Sequence, residues 1–204
     1  MKKLAIIGSG GFAKEIYDIS TSIGFDVIGF IDTPSSKPLP QKTIGHESDL
    51  DLIVDKYGYF SIFIAIGNTI VRSALSKQIP SILDQPVLLH NTANIFSSKV
   101  GQGSVFYPQS VVMSDCQIGE NCIINAGATI GHDTIIGDFC NINPGANIAG
   151  KVKVGFNTTI GIGASIRENI SIGDNVTVGA GTVVVKNIPD NTLCIGNPAH
   201  IKHD

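Results

Sequence analysis

The chain has 204 residues, of which 43% are hydrophobic and 15% charged. That balance excludes an intrinsically disordered chain and supplies enough apolar surface for a packed core. A formal net charge of −3 argues against a nucleic-acid partner, and no apolar run reaches the about 18 residues that a membrane-spanning helix needs.

The first residues, Met1-Lys2-Lys3-Leu4-Ala5-Ile6-Ile7, are basic and then apolar. The apolar run stops at Gly8, too early for a signal-peptide core, so 3–7 reads as a first β-strand. Gly8-Ser9-Gly10-Gly11-Phe12-Ala13 follows, then a helical stretch over 14–23 and a second strand over 27–31 that runs into Asp32. Strand, glycine-rich turn, helix, strand and acidic residue together fit the pattern G-x-G-x-x-G/A, with Asp32 placed 24 positions after Gly8. Glycines let a phosphate approach the backbone, and the N-terminus of the next helix favours an anion. Gly8, Ser9, Gly10 and Gly11 are thus candidate ligand contacts. Asp32 and Thr33 are candidates for a ribose or sugar hydroxyl. The competing reading is a glycine turn that only joins strand to helix.

Residues 33–42, rich in Pro and Ser, read as an exposed loop. A third strand over 61–66 leads to Gly67-Asn68 and a helix over 69–79. This places Gly67 and Asn68 at the sheet edge that holds Gly8, where open α/β sheets bind ligands. A full dinucleotide fold needs two such halves and only one fits, so an NAD-dependent oxidoreductase is the weakest reading. A nucleotide-sugar suits the single half better. Residues 1–90 are therefore expected to form a half-Rossmann βαβαβ domain that binds a nucleotide-sugar.

Residues 91–204 have a different grammar. An apolar residue recurs every six positions from Val100 to Val184, 15 times without a slip. Four positions after each lies a second, mostly small column, from Ser104 to Ile188, and neither column contains a charge. A period of six fits short strands separated by corners and wound into a solenoid. Three strands per turn give coils of 18 residues, about five in all. Cys116, Cys122 and Cys140 fall in the small column and read as buried hydrophobes. No CxxC pair occurs among the four cysteines, so no metal site is expected, and reduced thiols suit a cytoplasmic protein.

Of five histidines, only His132 falls inside the repeats. The register sets His132 and Asp133 between the two inward columns, on a corner facing out. Histidine suits general-base work near neutral pH, and an adjacent carboxylate can orient the ring and stabilise the imidazolium. The alternative is a plain solvated corner pair.

A short nucleotide-binding module joined to hexapeptide coils, with His-Asp on a corner, resembles one family. That is the hexapeptide-repeat family of sialic acid O-acetyltransferases and bacillosamine (UDP-4-amino-sugar) N-acetyltransferases. The resemblance extends over the whole chain. It implies a left-handed parallel β-helix, acetyl-CoA as co-substrate, no metal, and a homotrimer with active sites between subunits. It implies His132 as base and Asp133 as its orienting partner. Backbone groups at Gly150, Ile162 and Ala180 would face acetyl-CoA. The family often carries a second histidine nine residues on; here that position is Asn141, which can still donate a hydrogen bond to the thioester carbonyl. The implied reaction is N-acetylation of a UDP- or dTDP-linked 4-amino-4,6-dideoxy sugar for a bacterial surface glycan. O-acetylation of sialic acid or a related glycan is the alternative within the family. A non-catalytic β-helix scaffold or binding subunit is the alternative outside it.

Overall fold

Residues 2–32 and 39–202 are described by a computed structural model of the chain, which divides into two compact units, Met1–Leu88 and Leu89–Asp204. Thr33 lies outside the described residues.

In the first unit the apolar segment Lys3–Ile7 forms β1, and Ser61–Ile64 forms β4. Their continuous apolar runs suit parallel strands covered on both faces. Between them come α1 (Gly11–Ser22), β2 (Asp26–Ile31), β3 (Thr43–Gly45) and α2 (Leu50–Tyr57), and α3 (Thr69–Ser76) follows. The sheet is parallel throughout, in the order β3-β2-β1-β4. Ala5, Ile7, Ile31, Leu50, Ile53, Phe60, Ile62 and Ile64 pack together as its core. The half-Rossmann expectation holds, with two additions. The edge strand β3 and the helix α2 lie in a stretch for which the sequence offered no element. β3 has three residues, too few to display an alternation, and it exists only by pairing with β2.

The second unit is a left-handed parallel β-helix of two-residue strands. The strands stack into three sheets of six, five and eight members, which are the three faces of the coil. The first face carries Thr129–Ile130, the second Ile135–Ile136 and the third Asn141–Ile142. In the body of the coil each strand pairs with the strand 18 residues on, as Thr129 with Asn147 and Ile130 with Ile148, while at the C-terminal end Thr177–Val178 pairs with Leu193–Ile195, whose other partner, His200–Lys202, is antiparallel. Both expected columns face inward: Phe106 to Val184 in the first and Ser104 to Ile188 in the second are buried throughout.

The second column also bonds coil to coil. Thr158 Oγ1 donates to Gly173 O at 2.8 Å, and the Cys122 and Cys140 thiols donate to Gly137 O and Gly155 O at 3.1 and 3.0 Å. Small donors are therefore favoured there for two reasons, volume and a carbonyl in reach. The corners show a further regularity. From Gly103 to Gly181, every sixth residue adopts the left-handed conformation, with φ between 53° and 67°.

Candidate active site

The first group of candidate residues gathers where β1, β2 and β4 end. Gly8 follows β1 with φ of +113°, and a Cβ there would lie 2.8 Å from Ala65 O. Glycine is thus required at this position by the close approach of the β1 and β4 ends. At Gly10, Gly11 and Gly67 an added Cβ would meet nothing within 4 Å. Those three glycines border open space rather than packed chain.

Gly10 is the N-cap of α1 and supplies no side-chain cap. The first-turn N–H groups of this 12-residue helix therefore have no side-chain acceptor at the cap, and they carry the positive end of the helix dipole. Ser9 Oγ donates to Asp32 Oδ2 at 2.6 Å, which fixes the carboxylate at the end of β2. Asp32 also borders a cavity of about 540 Å³, lined further by Thr43, Ile44, Gly45, His46 and Asp49.

Asn68 is the N-cap of α3: its Oδ1 accepts from Val71 N at 3.0 Å. The amide nitrogen and the second lone pair of Oδ1 are left to serve a ligand. The Gly67 turn is held from within by Arg72, which is 1% exposed and whose Nη1 donates to Ile66 O at 2.7 Å and Gly67 O at 3.2 Å. Sequence reasoning missed Arg72, because a single arginine on an amphipathic helix gives no sign of burial.

The second group lies on the corner between the first and second faces of the β-helix. His132 Nδ1 is 2.7 Å from Asp133 Oδ2, with the two side chains 62% and 51% exposed. A carboxylate only accepts, so Nδ1 holds the proton in the neutral ring and Nε2 keeps its lone pair. Asp133 has φ of 58°, the corner conformation that Asp and Asn tolerate better than most residues. The ring rests against Gly150 of the next coil, where an added Cβ would lie 2.7 Å from Nε2. Lys151 N donates to His132 O at 2.8 Å and locks the two coils at this point.

Cys116 lies inside the same corner and its thiol donates to Gly131 O at 3.1 Å. Burial pushes the thiol's pKa up, hydrogen bonds with Thr134 and Ser98 oppose this, and the charges of Asp133 and Asp115 add to the rise. It stays a thiol, as expected of a core cysteine.

The remaining candidates do not join His132 within one chain. Ile162 and Ala180 stack on the corner between the third and first faces, where Gly181 N donates to Ile162 O at 2.8 Å; Ile162 is 60% exposed. Asn141 opens a strand on the third face, its backbone N donating to Thr158 O at 3.0 Å. Among the described residues, no group of three or more His, Cys, Asp or Glu is placed to hold a metal ion. No helix among them is long and apolar enough to cross a membrane.

Comparison with known proteins agrees over both units. The PglD N-terminal domain family matches residues 3–79, and the bacterial transferase hexapeptide family matches 97–132, 116–150 and 151–186. No curated protein sequence matches the chain. Among solved structures, the chain is similar to the acetyltransferase domain of PglB from Neisseria gonorrhoeae in complex with acetyl coenzyme A. The identity is 32%, covering 98% of this chain and 99% of that one, with a TM-score of 0.92. It is similar also to PerB from Caulobacter crescentus in complex with CoA and GDP-perosamine, at 31% identity over 100% and 98% of the two chains and a TM-score of 0.94. WeeI from Acinetobacter baumannii matches at 27% identity over 99% and 100%, with a TM-score of 0.88. The chain belongs to the hexapeptide-repeat sugar N-acetyltransferases with a PglD-type N-terminal domain, enzymes that use acetyl-CoA.

Proposed function

We propose that this enzyme N-acetylates a 4-amino-4,6-dideoxy sugar carried on a nucleoside diphosphate, UDP or dTDP, with His132 as general base. The observation that carries this reading is the His132–Asp133 pair. Its 2.7 Å contact assigns the proton to Nδ1 and leaves Nε2, on an exposed corner, as the basic atom. The sugar amine attacks the thioester carbonyl carbon. The C–N bond forms, the C–S bond breaks, and the amine proton passes to Nε2 and on to the leaving thiolate, giving CoA thiol. Asp133 holds the ring and stabilises the imidazolium. Acetyl-CoA meets backbone groups at Ile162 and Ala180. Asn141 donates to the carbonyl oxygen, and it does so from a neighbouring subunit of a homotrimer. The glycine-rich turn and the α1 N-terminus take the diphosphate, while Asp32, set by Ser9, accepts from a hydroxyl. Gly67 and Asn68 close the other side. The protein acts in the cytoplasm on a precursor of a surface glycan.

His132→Ala tests the assignment. General-base catalysis accounts for about 10²–10⁴-fold in rate, so kcat should fall by that much with KM for both substrates little changed. Near-normal turnover in the variant overturns the role.

A further inference from the structure

We propose that Gly150 is a positioning residue for this reaction: its missing side chain is the seat on which the His132 ring lies with Nε2 held in place. This rests on the reading of His132 as the base. The column on this corner runs Ser114, His132, Gly150, Glu168 at intervals of 18 residues, so position 150 is the step directly beneath the ring. An added Cβ at Gly150 would lie 2.7 Å from Nε2, 2.9 Å from Cε1 and 3.0 Å from Cδ2 of His132. All three nearest atoms belong to the ring.

Most repeat glycines differ. At Gly131 an added Cβ would lie 2.5 Å from Gly150 N and 2.6 Å from Ala149 C, both backbone atoms. Gly101, Gly137 and Gly161 likewise meet backbone of the next coil. Those glycines let coils stack. Gly150 is not among the positive-φ glycines, so no backbone conformation demands glycine there. The atoms nearest the missing side chain are those of the ring.

The two outcomes of adding a methyl group therefore separate. Backbone cannot yield without unstacking coils, whereas a ring 62% exposed can swing away cheaply. Swinging moves Nε2 off its line to the amine proton and pulls Nδ1 from Asp133, whose oxygen is only 2.7 Å away. A displacement of about 1 Å in a reacting group costs on the order of 10²-fold in rate. Gly150 thus serves the base sterically, which differs from the backbone contact with acetyl-CoA that the family resemblance implies for it.

The test uses the full chain as Gly150→Ala, Gly131→Ala, His132→Ala and the double variant Gly150→Ala/His132→Ala. Gly150→Ala should keep the wild-type Tm while Gly131→Ala lowers it. In Gly150→Ala, kcat should fall about 10²-fold, with KM for acetyl-CoA within about twofold. In the His132→Ala background the same change should cost nothing further. As a readout independent of turnover, the ¹⁵N resonances of the His132 ring should move in Gly150→Ala away from the Nδ1–H pattern of the wild type. Several results overturn the proposal: a normal kcat with an unmoved ring, a Tm loss equal to that of Gly131→Ala, or a raised KM for acetyl-CoA that persists without His132. If His132→Ala itself keeps near-normal turnover, the base assignment fails, whatever Gly150→Ala does to the ring spectrum. A silent Gly150→Ala beside an inactive His132→Ala refutes the seat alone.

Discussion

Asp133 has two duties that pull on the same side chain. It must take the left-handed corner conformation, with φ of 58°, and it must accept from Nδ1 of His132. Asparagine tolerates the first and does the second poorly, since its amide can present donor as well as acceptor to the ring. Asp133→Asn is therefore expected to fold with an unchanged Tm and to lose kcat, by less than the loss of His132 itself. A kcat equal to wild type would show that the carboxylate does not set the tautomer.

Asp84 makes a different kind of prediction. Burial pushes its carboxyl pKa up, but hydrogen bonds donated by Tyr59 at 2.6 Å and Ser61 at 2.9 Å, together with the charge of Lys2, outweigh that. The net effect holds it below the usual aspartate value. A carboxylate with a depressed folded pKa stabilises the fold above its unfolded pKa, and the contribution disappears as pH falls through the folded value. Asp84→Asn should accordingly lower stability near neutral pH and converge with the wild type in acid, as followed by denaturant unfolding across pH. A gap of constant size would contradict this.

At the scale of the element, the repeat corner governs both stability and site. The left-handed conformation every sixth residue suits glycine, asparagine and aspartate, and most of these positions carry one of them, from Gly103 through Asp115 and Asn121 to Gly181. Gln109, Phe139 and Lys151 depart from that pattern. A left-handed L-residue costs roughly 1–2 kcal/mol. Gln109→Gly should therefore raise Tm by a few degrees, about 2–4 °C per kcal/mol for a chain of this size. Phe139→Gly should not, because it also removes the edge-on contact with Phe156, whose ring centre is 5.7 Å away.

This third column has the same period as the two inward ones, but its mixed composition hid it, since backbone angle rather than burial selects its residues. By contrast, β3 and Arg72 left no readable trace. One is a three-residue strand made by a long-range pairing, and the other a buried cation whose partners are backbone carbonyls, which every residue possesses. The Ser9–Asp32 bond was half legible: both residues were candidates, but their coupling depends on how β1 and β2 end side by side.

At the scale of the molecule, the β-helix carries its candidate chemistry on separate edges. His132, Asp133 and Gly150 share one corner, Ile162 and Ala180 another, and Asn141 opens a strand on the third face. Periodicity revealed the coil because each repeat solves the same burial problem. It could not reveal which corners work together, because in the proposed trimer that depends on neighbouring chains. A closed cyclic assembly brings unlike faces of identical chains into register. Light scattering of the purified protein should accordingly give the mass of three chains, and Asn141→Ala should lower kcat without changing that mass. A monomer with full activity would contradict the shared site.

The most direct test of the central claim is CoA-thiol release by purified protein supplied with acetyl-CoA. The acceptor panel would contain UDP-, dTDP- and GDP-linked amino sugars and free sialic acid, each run with wild type and with His132→Ala. The expected result is rapid release with a UDP- or dTDP-linked 4-amino sugar, lost with His132→Ala. Release with the GDP-linked sugar alone would correct the nucleotide and leave the chemistry intact. Release only with sialic acid, or equal release by both proteins, would contradict the proposed N-acetylation mechanism.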